Sequence, residues 1–340
     1  MLKHFGYSFA VTILSLIFMF YFGFTKGGIS EGLTVVWLTL ILILMEVSLS
    51  FDNAIVNASI LRNWNKFWKK IFLTIGILVA VFGMRLVFPI AIVAFTTDMG
   101  VSEVWNLAIN NPDEYSKNLS AHHIEISAFG SMFLILVFFS FLFDDEKELH
   151  WAGKFEKKLS DFGRSKFISY IMALALLAIF SLLVEDDKVK DYFIAGFWGI
   201  AVYLAIHLIC YAFEHTGDNV ESLIKSGSFA GFMYLEILDA SFSFDGVIGA
   251  FAITKDIIII MVGLGVGAMF VRSITLYLVE KGTLSEYVYL EHGAHYAIGI
   301  LAIIMLLSVK FHIPEVVTGL IGIAFILLSL YSSIKYNKNL

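Results

Sequence analysis

An acidic motif occurs twice in this chain, each time inside an apolar stretch. Residues 46–55 read EVSLSFDNAI and residues 239–248 read DASFSFDGVI. Aligned without gaps, the two segments share the pattern Ser-x-Ser-Phe-Asp, and each begins with a carboxylate. Carboxylates in hydrocarbon are costly and are usually functional. Two copies at the same relative place predict a site between the halves of an internal repeat, an arrangement typical of transporters.

Oxygen donors surround both copies of the motif. Carboxylate, carbonyl, amide and water oxygens are the ligands of hard divalent cations such as Mn²⁺, Mg²⁺ and Ca²⁺. On an ideal helix Glu46 and Asp52 would lie about 120° apart. We therefore expect the Ser-x-Ser-Phe-Asp segment to be unwound, with carbonyls free as extra ligands. The candidate metal ligands are Glu46, Ser50, Asp52, Asn53, Glu236, Asp239, Ser243 and Asp245.

One arginine follows each acidic helix. Arg85 lies in GMRLVF and Arg272 in GAMFVRSI. Two interpretations stay open: the arginines neutralise the acids until a cation displaces them, or they are permanent structural partners. Acids that are merely buried and paired are the alternative to a metal site. Duplication of the whole motif favours the metal site, because packing alone does not require it.

Histidines form weaker candidates. His123 and His292 occupy matching positions in a third pair of similar segments, in which Gly130 aligns with Gly299. An imidazole at a metal site would favour a transition metal, but both histidines begin their spans, which favours histidines at the membrane interface. His207 and Glu214, seven residues apart, form a possible accessory site or proton route, and a polar helix end is the alternative.

The composition predicts an all-α polytopic membrane protein. The chain is 59% hydrophobic and 15% charged, with a mean hydropathy of +0.84, far outside the soluble range. Apolar runs long enough to cross a lipid bilayer recur throughout. Its one cysteine excludes an intramolecular disulfide framework. No basic stripe indicates nucleic acid, no motif indicates an organic cofactor, and the oligomeric state is left open.

We predict one transmembrane domain, 1–340, with about ten (nine to ten) spans. With the N-terminus in the cytoplasm, fifteen of the 23 Lys and Arg residues fall inside, six outside and two within spans. This bias predicts that both termini are cytoplasmic and that the protein lies in the inner (plasma) membrane. Residues 144–166 form a predicted cytoplasmic loop. The predicted spans are 7–24, 33–60, 70–95, 122–143, 167–184, 191–213, 228–253, 257–280, 292–309 and 314–334.

The two acidic helices are the second and seventh spans. An odd offset reverses membrane orientation, so the halves are predicted to be inverted-topology repeats with a core of three plus three helices. Half one covers about 33–143 and half two about 228–309. Because the halves are inverted, we expect Asp52 toward the cytoplasmic side and Asp245 toward the exterior.

The segments EVSLSFDNAIV, DASFSFDGVIGAFAIT and AFGSMFLILVF resemble the TerC family of integral membrane proteins. They are most similar to its longer bacterial branch, which is related to the LysE-type exporters with two inverted three-helix repeats. The resemblance implies export of divalent metal, chiefly Mn²⁺. The second copy departs from the family pattern, with Asp239 in place of Glu and Gly246 in place of Asn, so we expect an asymmetric site. The family signature, roughly Glu-x-x-Leu-Ser-x-Asp-Asn, maps onto Glu46, Leu49, Ser50, Asp52 and Asn53, and onto Asp239, Phe242, Ser243 and Asp245.

The expected function is therefore secondary export of a divalent cation such as Mn²⁺, and not an enzymatic activity. No Walker motif indicates direct use of ATP. One alternative is a membrane-embedded metalloenzyme that uses the acids and histidine pairs. Another is a non-transporting metal sensor or subunit of a complex. The inverted acidic repeat favours the transporter, since an enzyme has no need of the same site twice.

Overall fold

The computed structural model describes residues 2–96, 99–145, 147–162, 167–213, 227–311 and 313–338. Within these ranges every regular element is helical and there is no strand. Two π-helical stretches, Phe72–Gly76 and Val79–Val87, lie between α3 and α4. The α-helices are α1 (Leu2–Leu49), α2 (Phe51–Leu61), α3 (Lys66–Ile71), α4 (Phe88–Thr96), α5 (Val101–Asn110), α6 (Pro112–Ala121), α7 (His123–Leu142), α8 (Lys154–Phe162), α9 (Ile168–Ser181), α10 (Val189–Phe213), α11 (Phe229–Ile253), α12 (Ile257–Lys281), α13 (Thr283–Glu286), α14 (Leu290–Ser308) and α15 (Glu315–Lys338).

The helices confirm the all-α class and fit a polytopic membrane protein. Seven segments of the described chain are long and apolar enough to cross a membrane. Two further helices do not meet these criteria for a membrane span. Helix α9 is apolar but has only 14 residues, and α11 carries three carboxylates. Every predicted span has a helix at its position, while the exact number of crossings stays a prediction.

Helix α1 is a hairpin of two helices. Its backbone leaves helical geometry at Gly27 (φ −157°) and at Gly28 (φ 75°, ψ −159°). A methyl group added at Gly23 would lie 2.9 Å from Cγ2 of Val35. In a continuous helix these two residues would be about 18 Å apart. The chain therefore reverses at the two glycines, in agreement with the predicted boundary between the first two spans.

Close helix contacts pass through small residues. A methyl group at Gly130 of α7 would lie 2.8 Å from Cε of Met305 in α14, and one at Gly299 of α14 would lie 2.7 Å from the ring of Phe138 in α7. The two glycines that the sequence aligned thus contact each other's helix. Helix α12 likewise packs on α1, where Gly263 faces Leu42. Small side chains let membrane helices approach closely.

The turn at Gly28 generates a prediction. Gly28→Ala should lower the free energy of unfolding by about 1–3 kcal/mol, because its φ and ψ belong to a region that is essentially restricted to glycine. Gly6→Ala is the matched control, since its added methyl group meets open space and alanine favours a helix. Unfolding in detergent micelles measures both. Equal stabilities would contradict the reversal at Gly28.

Candidate functional site

The first acidic helix bends at the motif but does not unwind. Helix α1 ends at Leu49 and α2 begins at Phe51, with Ser50 at φ −101° and ψ 15°. The backbone ladder continues across the bend, from Ser50 N to Glu46 O (3.0 Å) and from Ala54 N to Ser50 O (3.1 Å). Helix α11 is continuous through the second motif. The predicted unwinding is therefore wrong, because these backbone groups keep their intrahelical partners.

The first half of the site is a buried ion pair. Arg85 Nη2 contacts Glu46 Oε1, and both side chains are only 1% exposed. Ser50 Oγ donates to the same carboxylate oxygen at 2.9 Å. Arg85 Nη1 donates to the carbonyl of Ala80, five residues earlier in the π-helical stretch. Glu46 is thus held by a cation and a hydroxyl, which is the compensation that a buried charge requires.

The second half has one arginine for two carboxylates. Arg272 Nη2 lies 3.4 Å from Glu236 Oε1 and 3.7 Å from Asp239 Oδ2, and all three side chains are buried. Its guanidinium carbon lies 3.7 Å from the ring centroid of Phe72. A cation over an aromatic face gains electrostatic attraction. The pairing is looser than in the first half and leaves negative charge less fully compensated.

The two motif copies contact each other. Asn53 Nδ2 donates to Asp239 Oδ1 at 2.7 Å. The residue that aligns with Asn53 is Gly246, where a methyl group would lie 3.3 Å from Glu46 Oε2. The leading acid of each copy therefore faces the same motif position of the other copy. The two positions differ, since Asn53 offers an amide and Gly246 has no side chain.

Buried oxygen atoms without hydrogen-bond partners occur on both helices that make this contact. Such atoms are usually satisfied in folded proteins, so each one needs an explanation. Among the described residues, three carboxylates of the motif region face two arginines. No three His, Cys, Asp or Glu side chains in the described part are arranged to hold a metal ion. The unpartnered oxygens belong to Asn53 (Oδ1), Asn57 (Oδ1), Glu236 (Oε2), Asp239 (Oδ2) and Ser243 (Oγ).

Asp52 lies apart from the arginines, at the wall of a cavity of about 470 Å³. Its Oδ1 accepts a hydrogen bond from the backbone N–H of Asn53 at 2.9 Å. Lys188 and Lys310 also line this cavity, and the cation count assigns both lysines to the exterior. The same count predicts Asp52 toward the cytoplasmic side, so the side of the membrane to which this cavity opens stays a prediction.

A family model described as "Protein of unknown function (DUF475)" matches residues 51–340 of the chain. The chain belongs to the DUF475 family. No curated protein and no solved structure matches it. The matched region contains the second acidic motif and both arginines, whereas Glu46 and Ser50 precede it.

The accessory residues of this DUF475 member do not form one site. His123 lines the Asp52 cavity, and His292 lies elsewhere, with Nε2 at 2.9 Å from the carbonyl of Leu149. His207 Nδ1 contacts the carbonyl of Tyr203 at 2.9 Å. Glu214 lies outside the described residues, and so does the side chain of Asp245, whose backbone continues α11.

Two glycines that complete the site were missed from the sequence. A methyl group at Gly76 would lie 2.6 Å from Glu236 Oε1, and one at Gly267 would lie 2.5 Å from Glu46 Cβ. Each acid therefore packs against a glycine on the arginine-bearing segment of the other half. The available signal was that a glycine precedes each arginine in the sequence.

The first ion pair generates a stability prediction. Arg85→Met should lower the free energy of unfolding by about 3–5 kcal/mol, because Glu46 is left buried without a counter-charge. Adding Glu46→Gln should recover most of that loss, since the uncompensated charge disappears. Arg62→Met is the control: Arg62 pairs with Glu291 at 3.4 Å but its side chain is 39% exposed, and such pairs contribute at most about 1 kcal/mol. Unfolding in detergent measures all three, and a double variant as unstable as the single one would contradict this account.

Proposed function

We propose that this DUF475 member is a secondary transporter that exports a divalent cation, with Mn²⁺ as the preferred substrate. The observation that carries the proposal is the contact between the two motif copies, in which Asn53 binds Asp239 and Gly246 faces Glu46. Two related helices thereby bring carboxylates to one buried, oxygen-rich place. A site of this kind between repeats is the usual position for a coupling ion or substrate in transporters.

The proposal includes an inverted repeat of three plus three core elements. The first half consists of the bent α1–α2 segment, the π-helical stretch with Arg85, and α7. The second consists of α11, α12 and α14. The reciprocal contacts of Gly130 and Gly299 support this pairing. On this basis we also propose a relationship to TerC proteins and LysE-type exporters, an inner-membrane location and cytoplasmic termini.

A cation would bind by replacing the arginines as counter-charge. The described carboxylates outnumber the arginines, so the buried cluster favours added positive charge, either as metal or as protons. Hard divalent cations bind carboxylate, amide and hydroxyl oxygens as ligands. Buried oxygens of these three kinds lack hydrogen-bond partners on the two motif helices. Exchange for protons or the membrane potential would supply the energy.

The geometry is less favourable for the metalloenzyme alternative. A hydrolytic metal needs several protein ligands and an open position for water. His292 contacts the carbonyl of Leu149 in another segment and His207 that of Tyr203 in its own helix, and neither contact involves the motif carboxylates. A sensor or complex subunit would use the same acids but would not move cations.

Transport in sealed proteoliposomes tests this function. Radioactive Mn²⁺ should cross the membrane in exchange for an imposed proton gradient, with Mg²⁺ and Ca²⁺ as competitors. Asp239→Asn should reduce flux to background, because it removes a carboxylate that accepts from Asn53 and pairs with Arg272. Asp113→Asn is the matched control, since that carboxylate is a surface group paired with Lys255.

Two results would contradict the proposal. One is normal flux through a folded Asp239→Asn variant. The other is the absence of flux for all three cations in wild-type protein under either gradient direction.

A further inference from the structure

Helices α7 and α14 connect two distant features of the molecule. The start of α7, at His123 and Ile124, and the part of α14 from Ala297 to Ser308 line the Asp52 cavity. The end of α7 and the start of α14 lie at the opposite side, where the described part of residues 144–162 packs on both. We call this segment the latch. It belongs to the predicted cytoplasmic loop, and sequence reasoning gave it no function.

Glu156, a buried acid in α8, forms an ion pair with Lys147 near the start of the latch. Its side chain is 0% exposed and lies 2.7 Å from Nζ of Lys147, whose side chain is 8% exposed. The N–H of Ala152 donates to the other carboxylate oxygen at 2.9 Å. Burial alone would raise the pKa of Glu156, but the ammonium group of Lys147 and the Ala152 N–H outweigh it, so the pKa lies below its ordinary value. Glu156 is therefore ionised at neutral pH.

The side chains around Glu156 contact both α7 and α14. Lys147 Nζ donates to the carbonyl of Phe141 near the end of α7 (3.0 Å). On α14, Nε2 of His292 lies 3.5 Å from Glu156, and the ring of His295 stacks on Phe141 with centroids 4.0 Å apart. Removing one partner of such a buried charge cluster is far more costly than loosening an exposed pair.

We propose that Glu156 is a positioning residue that, by clamping α7 and α14 through the latch, fixes the position of the opposite ends of these helices and keeps the cavity open to Asp52. This inference rests on the proposed function only in treating the cavity as the route of the cation. Since α7 and α14 are packed along their length through Gly130 and Gly299, movement at the latch is transmitted to the cavity wall. Transport then requires the latch to release when the cation site opens to the other side.

Thiol labelling in the cavity tests the clamp without any metal. The chain has one cysteine, Cys210, so Cys210→Ser gives a background without thiols. Thr318→Cys in that background places a reporter in the cavity wall, and its reaction with a polar maleimide in detergent measures the open cavity. Glu156→Gln should slow this reaction about fivefold or more, the usual lower range of coupling between sites. Asp161→Asn, an exposed carboxylate on the same helix α8, should leave the rate unchanged.

The direction of the change separates positioning from loss of structure. Partial unfolding would speed labelling at Thr318→Cys, whereas the clamp predicts slowing there and no change at Ser102→Cys, an exposed reporter outside the predicted spans. An unchanged or faster rate in Glu156→Gln would overturn the proposal. Failure of Mn²⁺ transport would overturn the proposed function but not this result.

A second measurement uses a variant in which the residues of the latch are unchanged. Coupling between two places is reciprocal, so a maleimide that wedges the cavity open should protect the latch. Hydrogen exchange of the Ala152 N–H, which donates to Glu156, should slow in Thr318→Cys protein after modification. Equal exchange before and after modification would overturn the proposal, even if Glu156→Gln does not fold.

Discussion

Buried carboxylates need compensation, and this requirement shapes the whole interior. Glu46, Glu236 and Asp239 are buried in mainly apolar helices, where an unpaired charge would be very costly. Each is reached by an arginine from the next segment of its own half. The arginines in turn fix how closely the segments approach, which explains why glycines stand opposite the acids. Glu156 and Lys147 repeat the same solution outside the spans.

Compensation of this kind adds little net stability, because the desolvation of both charges offsets most of their attraction. Apolar residues would fill the same space at similar or lower cost. The presence of three carboxylates beside two arginines is therefore the feature on which the proposal of exchangeable charge rests. The unequal pairing supports this, since Arg85 serves one acid and Arg272 serves two.

The sequence predicted much of the fold for a simple physical reason. Apolar runs of membrane length leave few alternatives to a helix, so each predicted span has a helical counterpart. The reversal at Gly27 and Gly28 falls between the first two predicted spans, as expected. The paired motif also identified residues that meet in space, as Asn53 and Asp239 do. The continuous backbone at Ser50 was not predictable from the sequence. The spacing of polar residues indicates the direction of side chains, but it does not show whether the backbone hydrogen bonds of the helix are interrupted. The latch was missed because its charges balance within the loop and resemble a solvated surface.

The contact between the motif copies is symmetric in position but not in chemistry. Asp239 already has an amide donor in Asn53 and shares Arg272, so its oxygens are partly occupied. Glu46 has Arg85 and Ser50 on one oxygen, while its Oε2 faces the bare position of Gly246. Under the proposed function, a cation at this interface would approach Glu46 Oε2 beside Gly246 without breaking the hydrogen bond between Asn53 and Asp239. The change from Asn53 in the first motif to Gly246 in the second thus leaves Glu46 without the amide partner that Asp239 has, so the asymmetry lies in the hydrogen bonding of the two leading acids.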